Sequence, residues 1–105
     1  MKFMYLFRGG REAPEEEMPA RMKKWEAWIN GLGHSYRDGA PLGEDGKVLK
    51  GKGHAEDGIV GDENSEVGGY LIVSAEDLDK AVELAAGCPI FDVDGVVEVR
   101  PILEM

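Results

Sequence analysis

The chain has 105 residues, with 12 Lys and Arg against 21 Asp and Glu, for a formal net charge of −9 at pH 7. That length accommodates one domain, residues 1–105, and a hydrophobic share of 43% is too high for a disordered acidic segment. The charge argues against direct contact with nucleic acid or anionic lipid, whose phosphates are met by clustered Lys and Arg.

The sequence opens on Phe3–Phe7, a short apolar and aromatic run that reads as a strand and ends at Gly9-Gly10. This run reaches Arg8 and Arg11 too soon for a signal-peptide core. Glu15-Glu16-Glu17 then precede a helical period. Met18, Met22, Trp25, Ile29 and Leu32 fall on one face, which predicts a helix over 16–31 closed by Gly31 or Gly33. Pro19 fits such a helix only in its first turn. From His34 to Ser65 the chain is rich in glycine. Asp45-Gly46 and Asp57-Gly58 are turn signals, and Lys47–Lys50 and Gly58–Val60 each suit a short strand. A strong strand follows at Val67–Val73. Ser74 then reads as an N-cap with Asp77 three residues on, opening a helix whose apolar stripe is Leu78, Ala81, Val82 and Ala85. Gly87-Cys88-Pro89 stops that helix. Asp94-Gly95 turns the chain into a final strand, Val96–Leu103.

This order is that of an α+β protein, a ferredoxin-like βαββαβ sandwich with two helices on one face of an antiparallel sheet. The other face should alternate to polar residues if it met water. Instead Met4 and Leu6 oppose Phe3, Tyr5 and Phe7, while Tyr70 and Ile72 oppose Leu71 and Val73. Two apolar faces predict a homodimer packed sheet to sheet. No apolar run is long enough to span a membrane. One cysteine, Cys88, excludes an internal disulfide and predicts a reducing, cytoplasmic setting.

Several stretches carry a resemblance. Met1–Leu6, Glu16-Glu17-Met18 leading to Trp25-Glu26-Ala27-Trp28, Gly68-Gly69-Tyr70 with its Ala-rich helix ending at Cys88-Pro89, and Val97–Ile102 are similar to the YCII-related (DGPF) family nearly end to end. Asp57-Gly58 stand on the first two residues of the DGPF segment, and Ile59-Val60 replace its Pro-Phe. The resemblance implies a dimeric α+β barrel. Some members resemble ring-isomerising or dehalogenating enzymes that use a His–Asp pair with the His on the first helix. Here residues 15–33 hold no His, and Arg21 and Met22 occupy that region. Other members are associated with transcription initiation, which implies an accessory role.

The chemistry-bearing residues each have two readings. His54 and Asp57, three apart in the glycine-rich segment, form either a general base with its orienting acid or two solvated loop residues. His34 and Asp38 pose the same choice, with His34 otherwise placed at a helix C-terminus. Arg8 and Arg100 either grip an anionic ligand or pair with acids such as Glu98 at a dimer seam. Trp28, off the predicted stripe, and Tyr70, after two glycines, are candidate ligand contacts or else core packing. Cys88 at a helix C-terminus reads as structural. No ligand spacing suggests a metal and no motif suggests a cofactor. Two functions follow. The first is a small-molecule site in the sheet–helix cleft with isomerase- or lyase-like proton transfer, His54 or His34 acting as base. The second is a non-catalytic accessory protein that binds a protein partner, in transcription control.

Overall fold

The computed structural model describes residues 1–62 and 64–105. Six strands and two helices run in the order β1 (Lys2–Gly9), α1 (Met18–Leu32), β2 (Tyr36–Pro41), β3 (Lys47–Leu49), β4 (Ala55–Asp57), β5 (Val67–Ser74), α2 (Leu78–Ala85) and β6 (Gly95–Pro101). The main sheet is antiparallel with the order β2-β5-β1-β6, the ferredoxin-like arrangement expected from the sequence. The fold is a slab only 18 Å thick, the depth of one sheet and one layer of helices.

Strand alternation builds the core. Phe3, Tyr5 and Phe7 of β1 pair across the sheet with Val73, Leu71 and Gly69 of β5, and these positions face the helices. Phe3, Tyr5, Leu71 and Val73 are all but fully buried. Leu32 closes the core from α1, Ala81 and Ala85 from α2, and Cys88, Ile90 and Val93 from the segment leading into β6.

The structure changes four local expectations. Met18 and Met22 lie exposed, and α1 packs through Trp25, Trp28, Ile29 and Leu32, so its first half extends beyond the core. A short 3-10 turn over Glu15–Glu17 feeds α1, with Pro19 in its first turn and Gly33, at φ +54°, closing it. On α2 the stripe is reduced to Ala81 and Ala85, because Leu78 and Val82 point to solvent. The helix also starts later than expected. Pairing of Ser74 with Lys2 of β1 extends β5 through Ser74, and Asp77 is the N-cap, accepting the Lys80 amide at 2.8 Å.

The glycine-rich segment shows the fourth difference. It holds an unexpected sheet strand, β2, which has little apolar pattern because it is an edge. Gly39 crosses Leu71 so closely that a Cβ there would stand 3.1 Å from the Leu71 Cα. The remaining arms, β3 and β4, form a separate two-stranded hairpin. Its second arm is Ala55–Asp57 rather than Gly58–Val60, since Gly58 adopts φ +123° and turns the chain.

Candidate functional site

The space between sheet and helices is filled. Trp28 stacks on Tyr5 with ring centroids 6.2 Å apart, and Trp25 meets Phe7 edge-on at 5.1 Å. The Trp28 indole N–H donates to the Leu84 carbonyl at 3.1 Å, and the Tyr5 hydroxyl donates to the Ala81 carbonyl. Among the described residues, no buried side-chain nitrogen or oxygen lacks a partner. Trp28 therefore ties α1 to α2, and the aromatic cluster occupies the place where a cleft was expected. Burial pushes the Tyr5 hydroxyl up to about 12, with a smaller push from Cys88. Burial likewise raises the Cys88 thiol to about 11, which keeps it an inert packing group.

Concavity is found instead at one end of the sandwich. There an open groove of about 810 Å³ lies between the turn after α1, the end of β5 and one side of α2. Gly33 releases the chain from α1 into a 3-10 turn that carries His34 and Ser35. Arg37 steadies that turn by donating to the His34 carbonyl. The rest of the lining is Ser74, Glu76, Lys80 and Glu83, with Met1, Ala75 and Leu84. Lys80 lies 3.3 Å from Glu83, whose hydrogen bond and charge raise the lysine pKa above its ordinary value. An imidazole, an ammonium and two carboxylates thus border one open space, a set that can bind a polar ring and move a proton.

The other predicted residues lie elsewhere. His54 and Asp57 sit on the exposed hairpin without touching. His54 Nε2 is 3.6 Å from Glu56, and Asp57 accepts from Lys47 at 2.7 Å. Asp38 is on β2 and accepts the Gly39 amide at 2.9 Å, with no hydrogen bond or ion pair to His34 among the described residues. Arg8, Tyr70 and Arg100 lie on the sheet face away from the helices. Arg8 donates to Glu98 at 2.7 Å and to the Ser65 carbonyl at 2.8 Å, while Arg100 stands 3.8 Å from the same Glu98. Ser35, Glu76, Lys80 and Glu83 were not foreseen. Their only signal is the spacing of Glu76, Lys80 and Glu83, four and three apart, leading into and along α2.

The family model of the YCII-related domain matches residues 1–105. The chain belongs to the YCII-related family. Among solved structures, this YCII-related chain is similar to 5-chloro-2-hydroxyhydroquinone dehydrochlorinase from Burkholderia phenoliruptrix AC1100, in complex with 2,5-dihydroxybenzoquinone. The two share 18% identity over 100% of this chain and 96% of that one, with a TM-score of 0.60. At that identity the likeness establishes the fold. Comparison with the curated proteins finds no match. Among the described residues, no helix is long and apolar enough to cross a membrane.

Proposed function

We propose that this YCII-related domain binds a small polar ring or enol in the groove at the end of the sandwich, where His34 acts as a proton acceptor. The observation that carries this reading is the convergence of His34, Lys80, Glu76 and Glu83 on one open groove. The His34 imidazole is placed to take a proton from a ring or enol bound there, and the Lys80–Glu83 ion pair offers hydrogen-bonding groups to its oxygens. The chemistry that follows is proton transfer of an isomerase or lyase kind. His34 is favoured over His54 because it lines the groove, whereas His54 lies beside Glu56 at the exposed hairpin. The complex of the structurally similar dehydrochlorinase with a dihydroxybenzoquinone supports a ring-shaped ligand class.

The working unit in this reading is a homodimer joined through the open sheet face. Met4, Leu6, Tyr70 and Ile72 crowd that face, and among the described residues no layer of the 18 Å slab covers it. A buried, reduced Cys88 suits a cytoplasmic setting.

The test is NMR shift mapping with 2,5-dihydroxybenzoquinone as probe. Shifts are expected at Met1, His34, Ser74 and Lys80, with affinity falling about fivefold or more in His34→Ala, roughly the worth of one hydrogen bond. No binding at millimolar probe, or shifts confined to other surfaces, would overturn the assignment. The alternative is a non-catalytic accessory protein. It is favoured by the filled sheet–helix interior and by the exposed Met18, Met22 and Phe91, which suit a protein partner.

A further inference from the structure

The first half of α1 extends beyond the core and carries one row of exposed side chains. Glu15, in the short turn that feeds the helix, is followed by Met18, Met22 and Glu26 at spacings of three, four and four. Those spacings set the four along one side of the helix. At ~1.5 Å per residue the row is roughly 17 Å long. All four residues are exposed, Met18 at 46% and Met22 at 60%. Ile29, two turns past Met22 on the same side, packs against the core. The apolar stripe of α1 therefore runs on past the point where the core ends.

The two acids that bracket the methionines are uncommitted. Among the described residues, neither the Glu15 nor the Glu26 carboxylate takes part in an ion pair or a side-chain hydrogen bond. Of the bases on α1, Lys24 is held by Asp92 at 3.3 Å. Arg21 and Lys23 each stand one position from Met22, about 100° to either side of it. The row itself is acidic at both ends and apolar between them.

We infer that this row docks a basic amphipathic helix of a partner protein, one that presents two apolar side chains between two Lys or Arg. A helix lying alongside α1 repeats the three-and-four spacing, so its side chains meet the row in step. The unbranched, polarisable methionines adapt to apolar side chains of varied shape. The carboxylates at the two ends pair with the partner's bases and fix its position along the row. A chain charge of −9 steers a basic segment toward this surface and turns an acidic one away. The ligand groove lies beyond the other end of α1, so the two surfaces do not compete.

This inference rests on the protein-partner reading given above as the alternative, and the test separates the two. Three peptides of about 14 residues, long enough to cover the row, share one amphipathic helical pattern. Their apolar face is leucine, and their polar face is lysine, glutamine or glutamate. Each is titrated into the full chain while NMR follows the methyl groups of Met18 and Met22. The lysine peptide is expected to shift both methyls and to bind about tenfold or more tighter than the glutamine peptide. Glu15→Gln with Glu26→Gln should bring the lysine peptide to within about threefold of the glutamine peptide, whose own affinity stays unchanged. Met18→Gln with Met22→Gln keeps helix propensity and should weaken the lysine peptide about tenfold. Circular dichroism checks the fold of each variant. Equal binding of all three peptides at the methionines, or a lysine preference that survives the Glu15 and Glu26 changes, overturns the charge selection and leaves a protein-docking surface standing. No shift at either methyl with any peptide at millimolar concentration overturns both.

Discussion

Tyr5 on the central strand β1 donates its hydroxyl to the Ala81 carbonyl on α2, joining two residues 76 apart in sequence. This bond pins the short second helix to the sheet from inside the core. Replacing Tyr5 with Phe keeps the ring and removes the donor. The expected cost is about 1–2 kcal/mol, read as a lower urea midpoint at unchanged slope.

Trp28 makes the matching tie from α1, through its indole N–H to the Leu84 carbonyl and its stacking on Tyr5. Trp28→Phe should cost about 1–2 kcal/mol. Trp28→Ala should cost roughly 3–4 kcal/mol, because the gap left beside Tyr5 and Phe7 adds a cavity term. An alanine variant as stable as the wild type would contradict a packing role.

The cap of α2 gives a clean contrast. Asp77 accepts the Lys80 amide, whereas Ser74 lies at the end of β5. Asp77→Ala should lower stability by about 1 kcal/mol and Ser74→Ala by under about 0.5 kcal/mol. Thermal denaturation of the two variants decides between the cap positions.

Gly95 begins β6 where a Cβ would stand 2.4 Å from Ile90 Cγ1 and 3.2 Å from the Ile90 carbonyl oxygen. Gly95→Ala must displace a buried side chain. A loss of about 1–3 kcal/mol is expected, measured by urea unfolding.

Alkaline pH should destabilise the fold. Tyr5 and Cys88 have ordinary pKa values of 10.0 and 9.0, and burial raises them to about 12 and about 11. The unfolded chain therefore releases these protons first. Their contribution is complete below pH 9 and is lost as pH rises toward 12. The fall in urea midpoint between pH 8 and pH 10.5 should be smaller in Tyr5→Phe combined with Cys88→Ala than in the wild type.

The strongly patterned elements were legible in the sequence. Alternating apolar residues defined β1 and β5, the Asp94-Gly95 turn marked a chain reversal, and of the two glycines that could close α1 the structure uses Gly33. The two-sided apolar character of Met4, Leu6, Tyr70 and Ile72 was equally plain. Strand β2 was not legible. Tyr36–Pro41 carries little alternation, and it becomes a strand because β5 offers an unpaired edge and Gly39 lets the backbone approach Leu71. The candidate site was legible only in part. His34 could be singled out by residue type, but Glu76, Lys80 and Glu83 join it through the packing of α2 against the end of β5.

Length and a charge of −9 set the outline at the start: a small acidic chain, with one domain as the expectation and a charge that argues against phosphate surfaces. The alternation of its strands also determined that the sheet would have two apolar faces, because side-chain direction in a strand follows position alone. Which charges share a face was decided by tertiary register. Pairing across β2, β5, β1 and β6 puts Asp38 and Arg100 at opposite ends of one row, and it leaves His54 and Asp57 on a separate hairpin. Residues far apart along the chain meet only through strand pairing, and local pattern does not encode that order.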